Sequence, residues 1–296
     1  MDALWKATED GDVETVRDLL ENSYEIDVNE FDDNDFNPLF YACLNQHIEI
    51  IHLLLNDSRC DINAQNRKGS TVLAICCHEG VTASVKLLLH HSTIQVNLGT
   101  EDGVGPLYLA CAHGGAETVK ILLKDSRVLV NQQTKEKLFP FLIACRDGKN
   151  DIVKLFLNDS RTDINCNSYG ATSFYVACRE GNREVVKELL KDDRVDINKP
   201  SKWGVTPLYI AAQNGTISVV KLILASKRFI ETGTKWKGRT ALEQAKNMKH
   251  NEIATLLQKY EAHSENLIFQ LQKELGILGI FLSLHLLPFL FLIFNF

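Results

Sequence analysis

The chain has 296 residues, of which 32 are Lys or Arg and 38 are Asp or Glu, so its formal net charge is −6. This acidic balance argues against nucleic acid as a partner, because general polyanion binders are normally basic. Hydrophobic residues make up 45% of the chain, which is ample for a folded domain. At the N-terminus, residues 1–26 place apolar side chains at helical spacing before and after Gly11. This pattern predicts an N-terminal capping pair of helices.

From residue 27 onward the sequence repeats itself every 33 or 34 residues. An asparagine marks each period, at Asn29, Asn63, Asn97, Asn131, Asn165 and Asn198. A small residue recurs with the same period, at Ala42, Cys76, Ala110, Ala144, Ala177, Ala211 and Ala245. A period of this length indicates stacked units, each too small to bury its own apolar face. We therefore expect a long binding surface and no deep pocket.

The period at residues 196–224 shows how one unit is built. Thr206 can cap a first helix through its hydroxyl, and Pro207 suits the first helical position. Gly215 would end that helix, because glycine adopts the left-handed conformation at little cost. In other periods the same position is held by Gly80, Gly114, Gly148 and Gly181. Residues 219–224 predict a second, more apolar helix, and the recurring asparagine ordinarily hydrogen-bonds its own turn.

Thr206, Pro207 and Leu208 match the Thr-Pro-Leu motif of the ankyrin signature, and looser matches stand at the same place in other periods. Tetratricopeptide arrays share the period but lack the Asp-x-Asn turn seen here. Over about residues 2–260 the chain therefore resembles the ankyrin repeat family. The resemblance implies an all-α repeat solenoid, an ankyrin-type stack of helix pairs with hairpin-like turns. It also implies a non-catalytic scaffold that binds a protein partner.

The repeat pattern divides the rest of the chain into four segments. Residues 27–225 hold six ankyrin-like repeats. Residues 226–260 form a C-terminal capping repeat, whose polar helix faces suit contact with water. Residues 261–274 break the pattern and are predicted to form a linker or an amphipathic segment. Residues 275–296 contain no charged residue and sixteen Leu, Ile or Phe.

This last segment, residues 275–296, predicts a C-terminal hydrophobic helix. About 20 apolar residues are enough to span a bilayer core, so the segment is a candidate transmembrane anchor that leaves the repeats in the cytosol. The anchor residues would include Leu275, Ile280, Phe281, Leu286, Phe289, Leu290, Phe291 and Ile293. Alternatively, the chain is a soluble module whose apolar tail packs on the last repeat or mediates self-association. A third possibility is a tail without fixed structure.

The sequence contains no pattern typical of catalysis or of cofactor binding. It has no phosphate-binding glycine loop, no nucleophile elbow and no zinc-protease motif, so we expect no enzyme, no cofactor and no small-molecule substrate. Five cysteines follow the small-residue position of their repeats, at Cys43, Cys77, Cys111, Cys145 and Cys178. Free cysteine behaves as a small buried hydrophobe, and no Cys-x-x-Cys is present. This indicates a reduced, cytoplasmic protein without a metal.

In the ankyrin family, turn tips and first helices form the recognition face. Here the tips change from acidic at Asp32, Asp33 and Asp35 to basic at Lys199, Lys202, Lys235, Lys237 and Arg239. Two tryptophans occupy neighbouring basic tips, and exposed tryptophan is a common energetic anchor of interfaces. The candidate partner-binding residues are Tyr169, Lys202, Trp203, Lys235, Trp236 and Lys237. Alternatively, the indoles fold onto their own hairpins and the charges form a solvated surface.

Overall fold

A computed structural model describes residues 2–263 and 266–278. Within these residues the elements, in chain order, are α1 (Asp2–Asp10), α2 (Val13–Asn22), α3 (Pro38–Leu44), α4 (Ile48–Asn56), α5 (Val72–Glu79), α6 (Thr82–His90), α7 (Pro106–Leu109) with a π-helical turn at Ala110–Gly114, α8 (Ala116–Lys124), α9 (Pro140–Arg146), α10 (Asn150–Leu157), β1 (Asn167–Ser168), β2 (Ala171–Thr172), α11 (Ser173–Glu180), α12 (Arg183–Leu190), α13 (Pro207–Gln213), α14 (Ile217–Ala225), α15 (Ala241–Asn247), α16 (Asn251–Glu261) and α17 (Leu267–Glu274). The described residues group into two compact units, residues 2–144 with 158–162, and residues 145–157 with 163–263 and 266–278.

In the first unit, the first helix of a repeat starts where its sequence predicts a cap. The Thr71 hydroxyl accepts a hydrogen bond from the backbone N–H of Ala74 at 3.2 Å, and the Asn37 side chain accepts one from Phe40 at 3.1 Å. Helix α5 ends at Gly80, whose φ of 71° is left-handed. The core lies between the helix pairs and includes Leu39, Phe40, Ile50, Ile51, Leu54, Leu73 and Leu88.

The recurring asparagine joins one repeat to the next. In the first unit, the Asn63 amide donates to the Thr93 carbonyl at 2.9 Å and accepts from the Gln95 N–H at 2.8 Å. Asn29 and Asn97 make the corresponding pair of bonds. The prediction that this side chain supports its own turn is wrong, because both bonds cross about 30 residues. We call this series the asparagine ladder.

Several second helices are followed by an Asp-x-Arg pair, and the arginine of this pair bonds to the preceding repeat. The Arg161 guanidinium holds the Asp159 carboxylate at 3.0 Å and donates to the carbonyls of Leu123 and Asp125 in the preceding repeat. The hydrogen bond from Arg161 is the main reason that the pKa of Asp159 is lowered. The same arrangement occurs at Arg59 and Arg127. Each repeat of this kind is therefore bonded to the one before it as well as to the one after it.

One helix end in the first unit differs from the sequence prediction. The sequence predicts the left-handed residue at Gly114, but Gly114 lies in the π-helical turn, and Gly115 has the positive φ of 93°. A β-carbon on Gly114 would collide with the Cys77 carbonyl of the preceding repeat. Two adjacent glycines therefore divide two roles, close packing at Gly114 and chain reversal at Gly115.

The second unit begins its repeats in the same way. Thr172 and Thr206 cap α11 and α13 by accepting from the N–H of Tyr175 and Tyr209. Helix α15 starts with a full capping box, in which Thr240 and Glu243 each bond the other's backbone N–H. The asparagine ladder continues here at Asn165 and Asn198. Large buried side chains of this core include Phe156, Phe174 and Tyr209.

The segment at residues 261–274, predicted as a linker or an amphipathic segment, contains a helix that packs on the repeats. Helix α17 lies against α14, where Leu267 and Leu271 are buried and the Gln272 amide donates to the Ala225 carbonyl at 2.8 Å. The Lys221 ammonium bridges the carboxylates of Glu274 and Glu252 at 2.7 and 3.1 Å. These contacts make the first part of the C-terminal segment a component of the second unit.

The predicted hydrophobic helix from residue 275 is not supported by the described part of the chain. Leu275 lies in the turn that ends α17, and Ile277 is fully buried. No helix within residues 2–263 and 266–278 has both the length and the apolar character needed to cross a membrane. The other predicted anchor residues, Ile280, Phe281, Leu286, Phe289, Leu290, Phe291 and Ile293, lie outside the described residues.

The cysteines pack as the sequence predicts. Cys43, Cys77, Cys111, Cys145 and Cys178, which directly follow the small-residue position of their repeats, are all fully buried, which confirms their role as core residues. All eight cysteines are free thiols. Burial raises the pKa of Cys43, Cys77 and Cys178 well above the ordinary thiol value, so these groups are held in the neutral form.

Candidate partner-binding site

The candidate residues lie on three hairpin tips of the second unit. The first tip joins β1 to β2 through Tyr169 and Gly170, whose φ values of 50° and 83° fit a two-residue turn of type I′. This tip is one residue shorter than its neighbours, because Asn165 and Thr172 are seven positions apart whereas Asn198 and Thr206 are eight apart. The Tyr169 side chain is 50% exposed at the turn.

The second tip is the loop at residues 201–205. The Ser201 N–H donates to the Val205 carbonyl at 2.9 Å, and the Gly204 N–H donates to the Ser201 carbonyl at 2.8 Å. Gly204 has a φ of 78°, so glycine closes the turn and leaves the preceding indole of Trp203 at its apex. Trp203 is 60% exposed.

Lys202 connects the first two tips. Its ammonium lies 4.7 Å from the ring centroid of Tyr169 and 4.6 Å from that of Trp203. One cation therefore contacts two aromatic faces from consecutive repeats. Such contacts are each worth about 0.5–1 kcal/mol at exposed sites, so Lys202 and both rings restrict one another.

The third tip is a tight turn between Trp236 and Arg239, whose backbone groups bond each other at 2.9 and 3.1 Å. The Lys237 ammonium lies 4.4 Å from the centroid of the Trp236 ring. The same indole packs edge-on against the buried Tyr209, with centroids 5.7 Å apart and an interplanar angle of 76°. Trp236 is thus half-buried, whereas Trp203 projects into solvent.

The positive charges of the second and third tips face solvent. Lys202, Lys235, Lys237 and Arg239 are all exposed. The pKa of Glu243 is lowered, mainly by the hydrogen bond from the backbone N–H of Thr240. The charges of Lys235 and Arg239 also contribute to this lowering. The arrangement can present cations and aromatic faces to a ligand. Within residues 2–263 and 266–278, no cluster of side chains suited to hold a metal ion occurs.

The structure brings the six predicted residues onto three successive tips, but it separates the two tryptophans by environment. The alternative in which an indole folds back onto the protein applies to Trp236 and not to Trp203. Sequence reasoning missed the central position of Lys202. A signal was present, because Tyr169-Gly170 and Trp203-Gly204 place an aromatic residue directly before the turn glycine in consecutive repeats.

Comparison with known proteins agrees with this architecture. A family model described as "Ankyrin repeats (3 copies)" matches residues 1–66, 58–133, 124–201 and 193–266. The chain belongs to the ankyrin repeat family. Proteins built of these repeats are generally non-catalytic interaction modules, so the fold supports a protein-interaction scaffold.

Two solved structures illustrate the similarity. EF0377, an ankyrin repeat protein, is 28% identical, with a TM-score of 0.60 over 68% of this chain and 98% of that one. The ankyrin repeat domain of Bcl-3, a member of the IkappaB protein family, is 19% identical, with a TM-score of 0.67 over 75% of this chain and 97% of that one. At 19% identity, the similarity to the Bcl-3 domain shows the fold alone.

Proposed function

We propose that this protein binds a protein partner through a tip surface made of Tyr169, Lys202, Trp203, Lys235, Trp236 and Lys237, and that it acts without catalysis. The observation that carries the proposal is Trp203, a large aromatic side chain that is 60% exposed at the apex of a hairpin tip. Its ring is steadied by the Lys202 ammonium.

The physical basis of binding is preorganisation. Exposed aromatic side chains that become buried on association are frequent hot spots, and their truncation typically costs about 1–3 kcal/mol of binding free energy. Less conformational entropy is lost when such a ring is already fixed before the partner arrives. The hairpin turns and the cation–π contacts of Lys202 fix Trp203 in this way.

The test compares two exposed aromatic residues of the second unit. The full-length protein, a Trp203→Ala variant and a Phe229→Ala variant are immobilised and exposed to extract of the cells that produce the protein. Phe229 is 81% exposed and lies outside the tips, so it is the matched control. We expect a protein that the wild type and Phe229→Ala retain and Trp203→Ala loses. Equal capture by all three would refute the role of the tip surface.

We also infer that the C-terminal segment completes the repeats, in preference to tethering them to a membrane. The support is the packing of α17 on α14 and the full burial of Ile277. Alkaline carbonate extraction of membranes from producing cells, with the full chain and with a chain that ends at Leu278, tests this inference. Release of both proteins is the expected result. Retention of the full chain alone would instead support an anchor beyond residue 278.

A further inference from the structure

We propose that the segment which crosses the tip surface is an acidic peptide in the extended polyproline II conformation, with carboxylate side chains about three residues apart. The inference rests on the proposed function, since it takes the tip surface as the place where a partner binds. It adds the chemistry of the partner, argued from the charges of the tips and from the spacing of the repeats.

The first argument is that the tip cations lack ion-pair partners. Some cations of the second unit, namely Lys191, Arg194 and Lys221, are each paired with a carboxylate. Across the part of the chain that the structure describes, Lys202, Lys235 and Lys237 form no such pair, and two of them lie on aromatic faces instead. A surface with uncompensated positive charge attracts a ligand of opposite charge.

A carboxylate near these charges, Glu243, is already engaged in a hydrogen bond. Glu243 feels the charge of Lys235 and Arg239, but its Oε2 accepts the Thr240 backbone N–H at 2.8 Å within the capping box. That carboxylate therefore serves the start of α15. Among the described residues Glu243 forms no ion pair with Lys235, so the Lys235 ammonium can pair with an external acidic group.

The second argument concerns how Lys202 is held. A lysine ammonium has three N–H donors, and the faces of Tyr169 and Trp203 attract its charge without replacing the strong hydrogen bonds that a carboxylate accepts. The rings immobilise the side chain before binding. A carboxylate that meets Lys202 thus gains a charge-assisted hydrogen bond at reduced entropic cost.

The third argument is spacing. Packed helices of neighbouring repeats lie about 8–10 Å apart, so successive tips follow at a similar interval. A peptide in the polyproline II conformation advances about 3.1 Å per residue with three residues per turn, so residues three positions apart lie on the same face and are separated by about one repeat. Carboxylates three positions apart would therefore meet Lys202 on one tip and Lys235 or Lys237 on the next.

The experiment uses the full-length protein and three synthetic decapeptides in an Ala/Ser background. The first has Glu at positions 1, 4, 7 and 10, the second has the same four Glu in one block, and the third has Lys in place of each spaced Glu. Binding is followed by tryptophan fluorescence at low and at moderate ionic strength. Variants are Lys202→Gln and, as the matched control, Lys259→Gln, an exposed lysine on α16.

We expect the spaced acidic peptide to bind at least threefold more tightly than the blocked one and to weaken as salt rises. Lys202→Gln should reduce its affinity at least fivefold, and Lys259→Gln should leave it unchanged. The proposal is overturned if the Lys peptide binds as well, if the two acidic peptides bind equally, or if Lys202→Gln has no effect. Capture of a protein that depends on Trp203, without binding of any acidic peptide, would reject this inference and leave the proposed function intact.

Discussion

The backbone nitrogen of Lys202 lies less than 3.0 Å from the position that a β-carbon on Gly170 would occupy. The first two tips therefore touch through backbone at a point where only hydrogen fits. Gly204 on the second tip has a similar φ of 78° but has nothing within 4 Å of its β-carbon position. The two glycines share a conformation and differ in the space around them.

This difference predicts unequal effects of alanine. Gly204→Ala should cost about 1–2 kcal/mol, the price of a left-handed conformation for a residue with a side chain. Gly170→Ala should cost roughly 1–3 kcal/mol more, because the second tip must also move away. Urea unfolding of both variants measures the difference. Equal losses of stability would show that the tips separate freely.

The two tryptophans should respond differently to truncation. Trp203→Ala is expected to change the free energy of unfolding by less than about 1 kcal/mol, since the ring is largely exposed and loses only its contact with Lys202. Trp236→Ala should cost roughly 1–2 kcal/mol, because the indole packs on Tyr209 as an edge-to-face pair. Chemical denaturation measures both. The ranking is contradicted if Trp203→Ala proves the more destabilising.

The asparagine ladder predicts a stability cost at a polar position. Asn63→Ala removes the bonds to the Thr93 carbonyl and the Gln95 N–H, each worth about 0.5–1.5 kcal/mol net, so the loss should be roughly 1–3 kcal/mol. Asn63→Asp keeps the acceptor and loses the donor, and should lie between the wild type and alanine. Urea midpoints at neutral pH test the order, which fails if aspartate is as harmful as alanine.

The Asp159–Arg161 pair predicts a pH effect of defined sign. The pKa of Asp159 is lowered from its ordinary value of 3.8, chiefly by the hydrogen bond from Arg161. A carboxylate with a depressed native pKa stabilises the fold above the unfolded value, and this contribution is lost as pH falls below about 4. Asp159→Asn should therefore reduce stability at pH 6 and flatten its decline toward pH 3. Asp33→Asn, at an exposed tip, serves as control, and identical slopes in wild type and Asp159→Asn would contradict the argument.

Helix α17 offers a matched pair of apolar residues. Leu271 is 2% exposed against α14, and Phe269 on the same helix is 55% exposed. Leu271→Ala should destabilise the second unit by about 2–4 kcal/mol, whereas Phe269→Ala should have an effect below about 1 kcal/mol. Thermal unfolding of the full chain checks both. A harmless Leu271→Ala would mean that α17 contributes little to the fold.

The sequence was sufficient for features set by neighbouring residues. Thr206 caps a helix and Gly215 reverses the chain because the needed side chain or conformation is local. At Gly114 and Gly115 both residues tolerate the left-handed conformation, and only the Cys77 carbonyl of another repeat decides between them. Local preference could not make that choice.

The candidate site was predictable in location but not in detail. The repeat register places Tyr169, Lys202 and Trp203 on consecutive tips, because tip positions follow from the period. It does not show that one ammonium contacts two rings, since that contact depends on how two hairpins stack. The packing of Trp236 on Tyr209 likewise depends on side-chain geometry across 27 residues.

The forward direction of the asparagine ladder has a consequence for synthesis of the protein. In each unit the ladder amide bonds to backbone that the ribosome makes about 30 residues later, as Asn198 does with Phe229 and Glu231. The asparagine amide of a newly made repeat therefore lacks these hydrogen bonds until the next repeat has been made. One period after Asn198 the sequence has Thr232 in place of asparagine, so the asparagine ladder ends at Asn198. In a nascent chain that stops between repeats, the side-chain amide of the last asparagine would lack both of these hydrogen bonds. An unfinished copy therefore differs from a finished one in an exposed, unbonded asparagine amide.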